Sequence, residues 1–100
     1  MLDFTRTIGF QWDQGNARKS TDKHGVSQTE AEQMFGNESL VVVEDDGHSQ
    51  SEQRFHALGV SVAGRRLHVT FTLRAKGTLI RVISARDMSR KERIIHDQET

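Results

Sequence analysis

The sequence predicts an α+β fold: an antiparallel sheet of four to five strands, two N-terminal helices packed on one face and a short C-terminal helix. Three observations predict it. Beyond Gly36 the apolar pattern is that of strands, with a β-branched run at Leu40 to Val43 and alternation in the segments that follow. Those segments are separated by short turns at Ala63-Gly64-Arg65 and Lys76-Gly77, so they join as hairpins rather than crossovers. Helix start and stop signals, by contrast, gather before the first of these strands and after the last.

The elements follow in order. Ile8, Phe10 and Trp12 alternate as on a half-buried strand. Asp13 stands where an N-cap belongs, so a polar helix runs from Gln14 to Lys23 and closes at Gly25. Ser27-Gln28-Thr29-Glu30 has the form of a capping box, opening a second helix to about Phe35 with Ala31, Met34 and Phe35 on its apolar side. Leu40 to Val43 is a strand, and Glu44 to Gln53 a polar loop. Phe55 to Val62 is a strand in either of two phases, and the one favoured points Leu58, Val60 and Val62 inward. Leu67, Val69, Phe71 and Leu73 alternate with His68, Thr70, Thr72 and Arg74, the clearest strand in the chain. Leu79 to Ala85 is almost continuously apolar, as in a strand central to its sheet. Ser89-Arg90-Lys91-Glu92 is a second capping box and opens the last helix.

One hundred residues with no linker, repeat or low-complexity tract point to a single domain. Cysteine is absent, which excludes disulfides, thiolate-metal sites and a cysteine nucleophile, and tyrosine is absent, which excludes a phenol base. No stretch has the form of a signal peptide or a membrane span, so the expected location is cytoplasmic, away from any membrane. The formal net charge of zero hides an asymmetry. Up to Gln53 four cations face ten carboxylates; from Arg54 to Arg93 ten cations face two carboxylates; Asp97 and Glu99 restore neutrality. Two readings stand: a polyanion site beside an acidic face, or halves that interleave in space and cancel.

The histidines, His24, His48, His56, His68 and His96, never share the i, i+4 spacing of a helical metal pair, and His48 with Asp45 and Asp46 reads as a solvated loop. No phosphate-binding glycine loop and no nucleophile elbow is present, so neither a metal nor a cofactor is expected. The arginines carry more. A hairpin turning at Ala75 to Thr78 makes Arg74 and Leu79 neighbours and brings Arg74 near Arg81. Like charges across strands repel unless water or an anion lies between them, and the guanidinium fork suits phosphate. A regular strand would place Arg81 and Arg86 on opposite faces.

Several pieces in order resemble the BrnT family of ribonuclease toxins. They are Phe10-Gln11-Trp12-Asp13, Lys23-His24-Gly25-Val26-Ser27, Ala31 to Phe35, Arg54-Phe55-His56-Ala57-Leu58-Gly59, Gly64-Arg65-Arg66-Leu67, Ile80 to Arg86 and Ser89 to Arg93. The resemblance covers most of the chain. It implies a RelE-like fold and an endoribonuclease that stops translation. It also implies neutralisation by a cognate BrnA-like antitoxin carrying a ribbon-helix-helix domain, in a hetero-oligomer that touches operator DNA through the antitoxin only. Two features depart from the pattern: His68 stands where an apolar residue is expected, and no C-terminal tyrosine is available as a base.

Metal-independent RNA cleavage needs a base for the 2′-hydroxyl, cations for the phosphorane and an acid for the leaving oxygen. Arg54, Arg74, Arg81 and Arg86 are the candidates for phosphate and transition-state charge. His24 is the first candidate for proton transfer, Lys23 the second and His68 the third, although a histidine before a helix-closing glycine also serves simply to end the helix. Trp12 stacks on a base or lies in the core. The competing functional class is a non-catalytic, partner-binding subunit of a DNA-binding repressor complex.

Overall fold

The computed structural model describes residues 9–45 and 52–100. The chain runs β1 (Gly9–Trp12), α1 (Gln14–His24), α2 (Gln28–Gln33), a 3-10 turn (Met34–Gly36), β2 (Val41–Asp45), β3 (Arg54–Val60), β4 (Arg66–Arg74), β5 (Leu79–Asp87) and α3 (Arg90–Glu99). The sheet order is β1-β5-β4-β3-β2. Strands β2 to β5 form the expected antiparallel meander, and β5 lies between two neighbours as its apolar run requires. The expectations for Ile8, for His48 and for the middle of the polar loop lie outside the described residues.

Strand β1 departs from an all-antiparallel sheet: it pairs with β5 in parallel, Phe10 opposite Ile80 and Trp12 opposite Val82. A meander leaves the backbone groups along the outer edge of its last strand unpaired, and β1 covers that edge. Helix α1 then packs along β5, where the Ser20 hydroxyl accepts a hydrogen bond from the Ala85 amide at 3.1 Å.

Local signals explain the helix ends. Asp13 caps α1 by accepting from the Asn16 amide, and Gly25 closes it at φ 64° with its N–H on the Thr21 carbonyl. Ser27 caps α2 through the Glu30 amide at 3.1 Å, but the Glu30 carboxylate turns to Arg65 and Ser61. The other half of the predicted capping box at Ser27 is thereby given up to a tertiary contact. The box at Ser89 and Glu92 closes in both directions.

The core lies between the sheet and α2, around Ala31, Met34, Leu67, Val69, Phe71, Val82 and Ala85. Phe35 meets Phe71 edge-on at 5.3 Å between centroids, and Phe55 stacks on Phe71 at 5.3 Å. Trp12 packs against this core and donates its indole N–H to Glu32 at 2.8 Å. The favoured phase of β3 is corrected. Phe55 and Ala57 enter the core, Gly59 pairs with core residue Leu67, and Val62 is 83% exposed. The alternation misled because both faces of β3 are covered. Met34 rests on Gly59 on one side, and α3 approaches the other, where Leu58 is buried. The helices therefore occupy both faces, α2 on one and α3 on the other.

Candidate active site

The face of the sheet opposite α2 holds the polar residues of β3, β4 and β5, and strand register orders them in rows. One row is Gln11, Arg81, Thr72, Arg54. The next is Ser84, Thr70, His56, Val43, and a third is Arg86, His68, Leu58, Val41. Arg81 and Arg86 share this face, against the expectation for a regular strand. Val82 pairs with Phe71 while Ser84 pairs with Thr70, so β5 spends one extra residue, Ile83, where β4 spends none. Such a bulge reverses the side-chain parity beyond it. Four residues that the sequence singles out, Arg54, Arg74, Arg81 and Arg86, thus come to one side of the sheet.

Each is held differently. Arg54 and Arg81 flank the buried Thr72 from its two neighbouring strands. Arg81 donates to Gln11 Oε1 at 3.1 Å and lies 3.9 Å from Asp13. Arg74 pairs with Glu52 at 2.7 Å and opposes Leu79 as the hairpin predicts. Arg86 grips Glu92 through both terminal nitrogens at 2.8 Å each. The charge halves therefore do interleave along the sheet, while Arg90, Lys91 and Arg93 in the first turn of α3 are exposed. Arg54, His56, Arg81 and Ser84 keep partial exposure beside the exposed Val43, so the middle of the face is reachable from solvent.

Next to the arginines lies a cluster that the sequence only half signalled. The His56 and His68 rings stand 4.9 Å apart between centroids, side by side on β3 and β4. His56 Nδ1 is 3.0 Å from the Thr70 hydroxyl, and His68 Nε2 is 3.6 Å from Glu92. His68 Nδ1 is buried without a hydrogen-bond partner among the described residues. Burial pushes the His68 imidazole down, Arg86 and His56 push the same way, and Glu92 opposes them, leaving it at about 4. Burial would raise the Glu92 carboxyl, but the Arg86 and Ser89 hydrogen bonds and the nearby positive charge outweigh it and hold it at about 2.

Lys23 and His24, the first two choices for proton transfer, lie away from this face. They form the last turn of α1. The His24 and Gly25 carbonyls accept from Arg65 at 2.7 and 2.8 Å, and Arg65 also binds Asp87 through two nitrogens and Glu30 through one. Asp87 pairs with Leu67 and so belongs to the opposite face from Arg86. The sequence places Arg65 in a turn, and nothing in Gly-Arg-Arg reveals that one arginine will clasp two helices and a strand end.

A five-stranded sheet with α1 and α2 on one face, and α3 beside a row of arginines on the other, defines a class of small α+β proteins. Comparison with known proteins narrows the class. The family model described as ribonuclease toxin, BrnT, of type II toxin-antitoxin system matches residues 12–92. The chain belongs to this BrnT family. The crystal structure of the Brucella abortus ribonuclease toxin BrnT is similar, with a TM-score of 0.64 and 22% identity over 84% of this chain and 100% of that one. No curated relative matches. Membership implies an RNA target and an antitoxin partner. No described helix is long and apolar enough to cross a membrane.

Proposed function

We propose that this chain is a single-domain, metal-independent endoribonuclease that stops translation by cutting RNA on the open sheet face. The observation that carries the reading is the β5 bulge, which gathers Arg81 and Arg86 beside Arg54 on one surface. Arg54 and Arg81 take the scissile phosphate across Thr72 and meet the charge that grows on its oxygens during attack. Arg86, fixed by Glu92, and Arg74, fixed by Glu52, supply positive potential at the two ends of the site rather than direct phosphate contacts. The cognate antitoxin, of ribbon-helix-helix type, covers the site, acts in the cytoplasm with the toxin, and carries the complex to operator DNA.

The test is incubation of purified protein with RNA, with and without a chelator. Cleavage unaffected by chelator is expected. Arg81→Ala and Arg54→Ala should each slow it by roughly 100- to 1,000-fold while the fold persists by circular dichroism. Full activity in both variants would remove the site from this face.

The second reading, a partner-binding subunit without catalysis, is favoured by one observation. Ile94 and Ile95 are 51% and 36% exposed on α3, beside the exposed Arg90, Lys91 and Arg93. An apolar pair rimmed by cations suits an acidic, amphipathic partner segment. This reading predicts no RNA cleavage by the lone chain, and loss of antitoxin binding without change in RNA cleavage when Ile94 and Ile95 are changed to serine would separate the two roles.

A further inference from the structure

We propose that Gln11 is a positioning residue for RNA cleavage: its side-chain oxygen aims the Arg81 guanidinium at the bound phosphate and leaves that arginine's charge uncompensated. The inference rests on the reading of the open face as the RNA-cleaving site, and adds to it a residue from the other end of the chain. Strand β1 alternates. Phe10 and Trp12 pack against the core, and Gln11 between them is exposed. Parallel pairing sets Gln11 opposite Arg81 and Gly9 opposite Leu79. Gly9 shares the face of Gln11 and has no side chain, so Gln11 is what β1 brings to the site.

The chemistry of the contact is fixed by its partners. Arg81 Nη1 donates to Gln11 Oε1 at 3.1 Å. A guanidinium only donates, so the amide must turn its oxygen, and not its nitrogen, toward the arginine. An arginine side chain on an open sheet face has many rotamers. The bond to Gln11 selects among them before RNA arrives, so less ordering is left for the moment of reaction.

The neutrality of the partner sets Arg81 apart from its neighbours. Arg86 is bound through two nitrogens by Glu92 at 2.8 Å, and Arg74 by Glu52 at 2.7 Å. Each of those carboxylates cancels charge that a phosphate would use. Asp13 stands 3.9 Å from Arg81, beyond hydrogen-bonding distance, and its Oδ1 is committed to the Asn16 amide as the cap of α1. Gln11 therefore orients the guanidinium as a carboxylate would, without its charge. Arg81 is also the least exposed of the three, 27% against 36% for Arg86 and 41% for Arg74. Its attraction for an anion is the least weakened by water.

The experiment measures cleavage of a short RNA by wild type, Gln11→Met, Gln11→Glu, Arg81→Ala and the double variant Gln11→Met with Arg81→Ala, the fold of each followed by circular dichroism. Gln11→Met keeps the length of the side chain and removes the acceptor, and should lower kcat by about 10- to 100-fold. In the Arg81→Ala background the same change should cost nothing further, because the residue it acts through is gone. Gln11→Glu keeps the acceptor and adds a charge. Its kcat should stay close to that of wild type while KM rises. The salt dependence of its RNA binding should lessen by roughly 0.7 in log–log slope, the loss of one phosphate contact. If Gln11→Met does not fold, Gln11→Ala takes its place with the same expectation. A wild-type chain that cuts no RNA overturns the proposed function and this inference with it. A cutting wild type beside a fully active Gln11→Met, or an equal loss in both backgrounds, overturns the inference alone. So does a Gln11→Glu variant that is as slow as Gln11→Met, or one that binds RNA as wild type does.

Discussion

Glu92 shows how much one carboxylate can organise. Its Oε1 accepts from the Ser89 amide at 2.8 Å, closing the cap of α3, and from Arg86 Nη1 at the same distance. Its Oε2 accepts from Arg86 Nη2 and stands near His68. A residue that sequence reasoning recognised as a cap is thus also what fixes Arg86. Arg65 is the counterpart on the other face of the sheet, where its hydrogen bonds lower the Asp87 carboxyl from its ordinary value. Arg65→Ala should lower stability by about 2 kcal/mol, since several charge-assisted bonds are lost from a partly exposed site. Arg65→Lys should recover less than half, because an ammonium cannot reproduce the fork that spans Asp87 and the α1 carbonyls. Urea denaturation would measure both, and RNA cleavage by the folded fraction should be unchanged.

At the scale of elements the decisive feature is the bulge in β5. Removing Ile83 would leave Val82 and Ser84 consecutive and Arg81 and Arg86 four positions apart, which restores one-to-one pairing and keeps both arginines on the open face. The deletion should therefore leave RNA cleavage in place, read with the same RNA assay, and a loss of cleavage would show that the bulge shapes the site in some way other than by side-chain parity. The contact of α2 with β3 is the second sensitive junction. A Cβ at Gly59 would meet Met34 Cβ at 3.2 Å and Leu40 Cδ1 at 3.4 Å. Gly59→Val should therefore cost about 1–3 kcal/mol by overpacking, read from the denaturation midpoint. Neither junction is visible in the chain itself. Alternation reveals that β3 and β5 have two faces, but an inserted residue looks like any other in an apolar run. Small residues at Ala57 and Gly59 register as weak strand formers rather than as a seat for Met34. The hairpins, by contrast, were legible because turn residues act locally: Ala75 and Lys76 at φ 52° and 58°, then Gly77 at 86°, set the Arg74–Leu79 pairing that the spacing implied.

Over the whole molecule, stability should decline with acid in two stages. His68 has its ordinary value of 6.5 lowered to about 4 on folding, so the unfolded chain binds this proton more readily. Its contribution is complete above about 6.5 and is lost as pH falls toward 4, roughly 1.4 kcal/mol per pH unit and about 3 kcal/mol in all. Glu92, lowered from 4.5 to about 2, holds its contribution above 4.5 and loses it as pH falls toward 2. Denaturation midpoints recorded from pH 7.5 to pH 3 should show the first decline in wild type, and His68→Leu should flatten it while leaving the second. The charge asymmetry was legible at this scale, and its outcome was not: whether opposite halves cancel depends on which carboxylate meets which arginine, and that is decided by tertiary contacts such as Glu52 with Arg74. Strand and hairpin spacing singled out Arg74, Arg81 and Arg86, but it did not indicate that Lys23 and His24 lie on a different side of the molecule from them.

The pairing of β1 with β5 also has a consequence in time. Strands β2, β3 and β4 find their partners locally as the chain lengthens, whereas β1 must wait for a partner 70 positions later, Gly9 opposite Leu79. The same late segment brings Arg81, the bulge and Arg86. During synthesis the molecule therefore holds an unclosed sheet with an unfinished site, and both are completed by one strand. A chain that ends before that strand lacks Arg81 and Arg86 and leaves the outer edge of β4 without its partner.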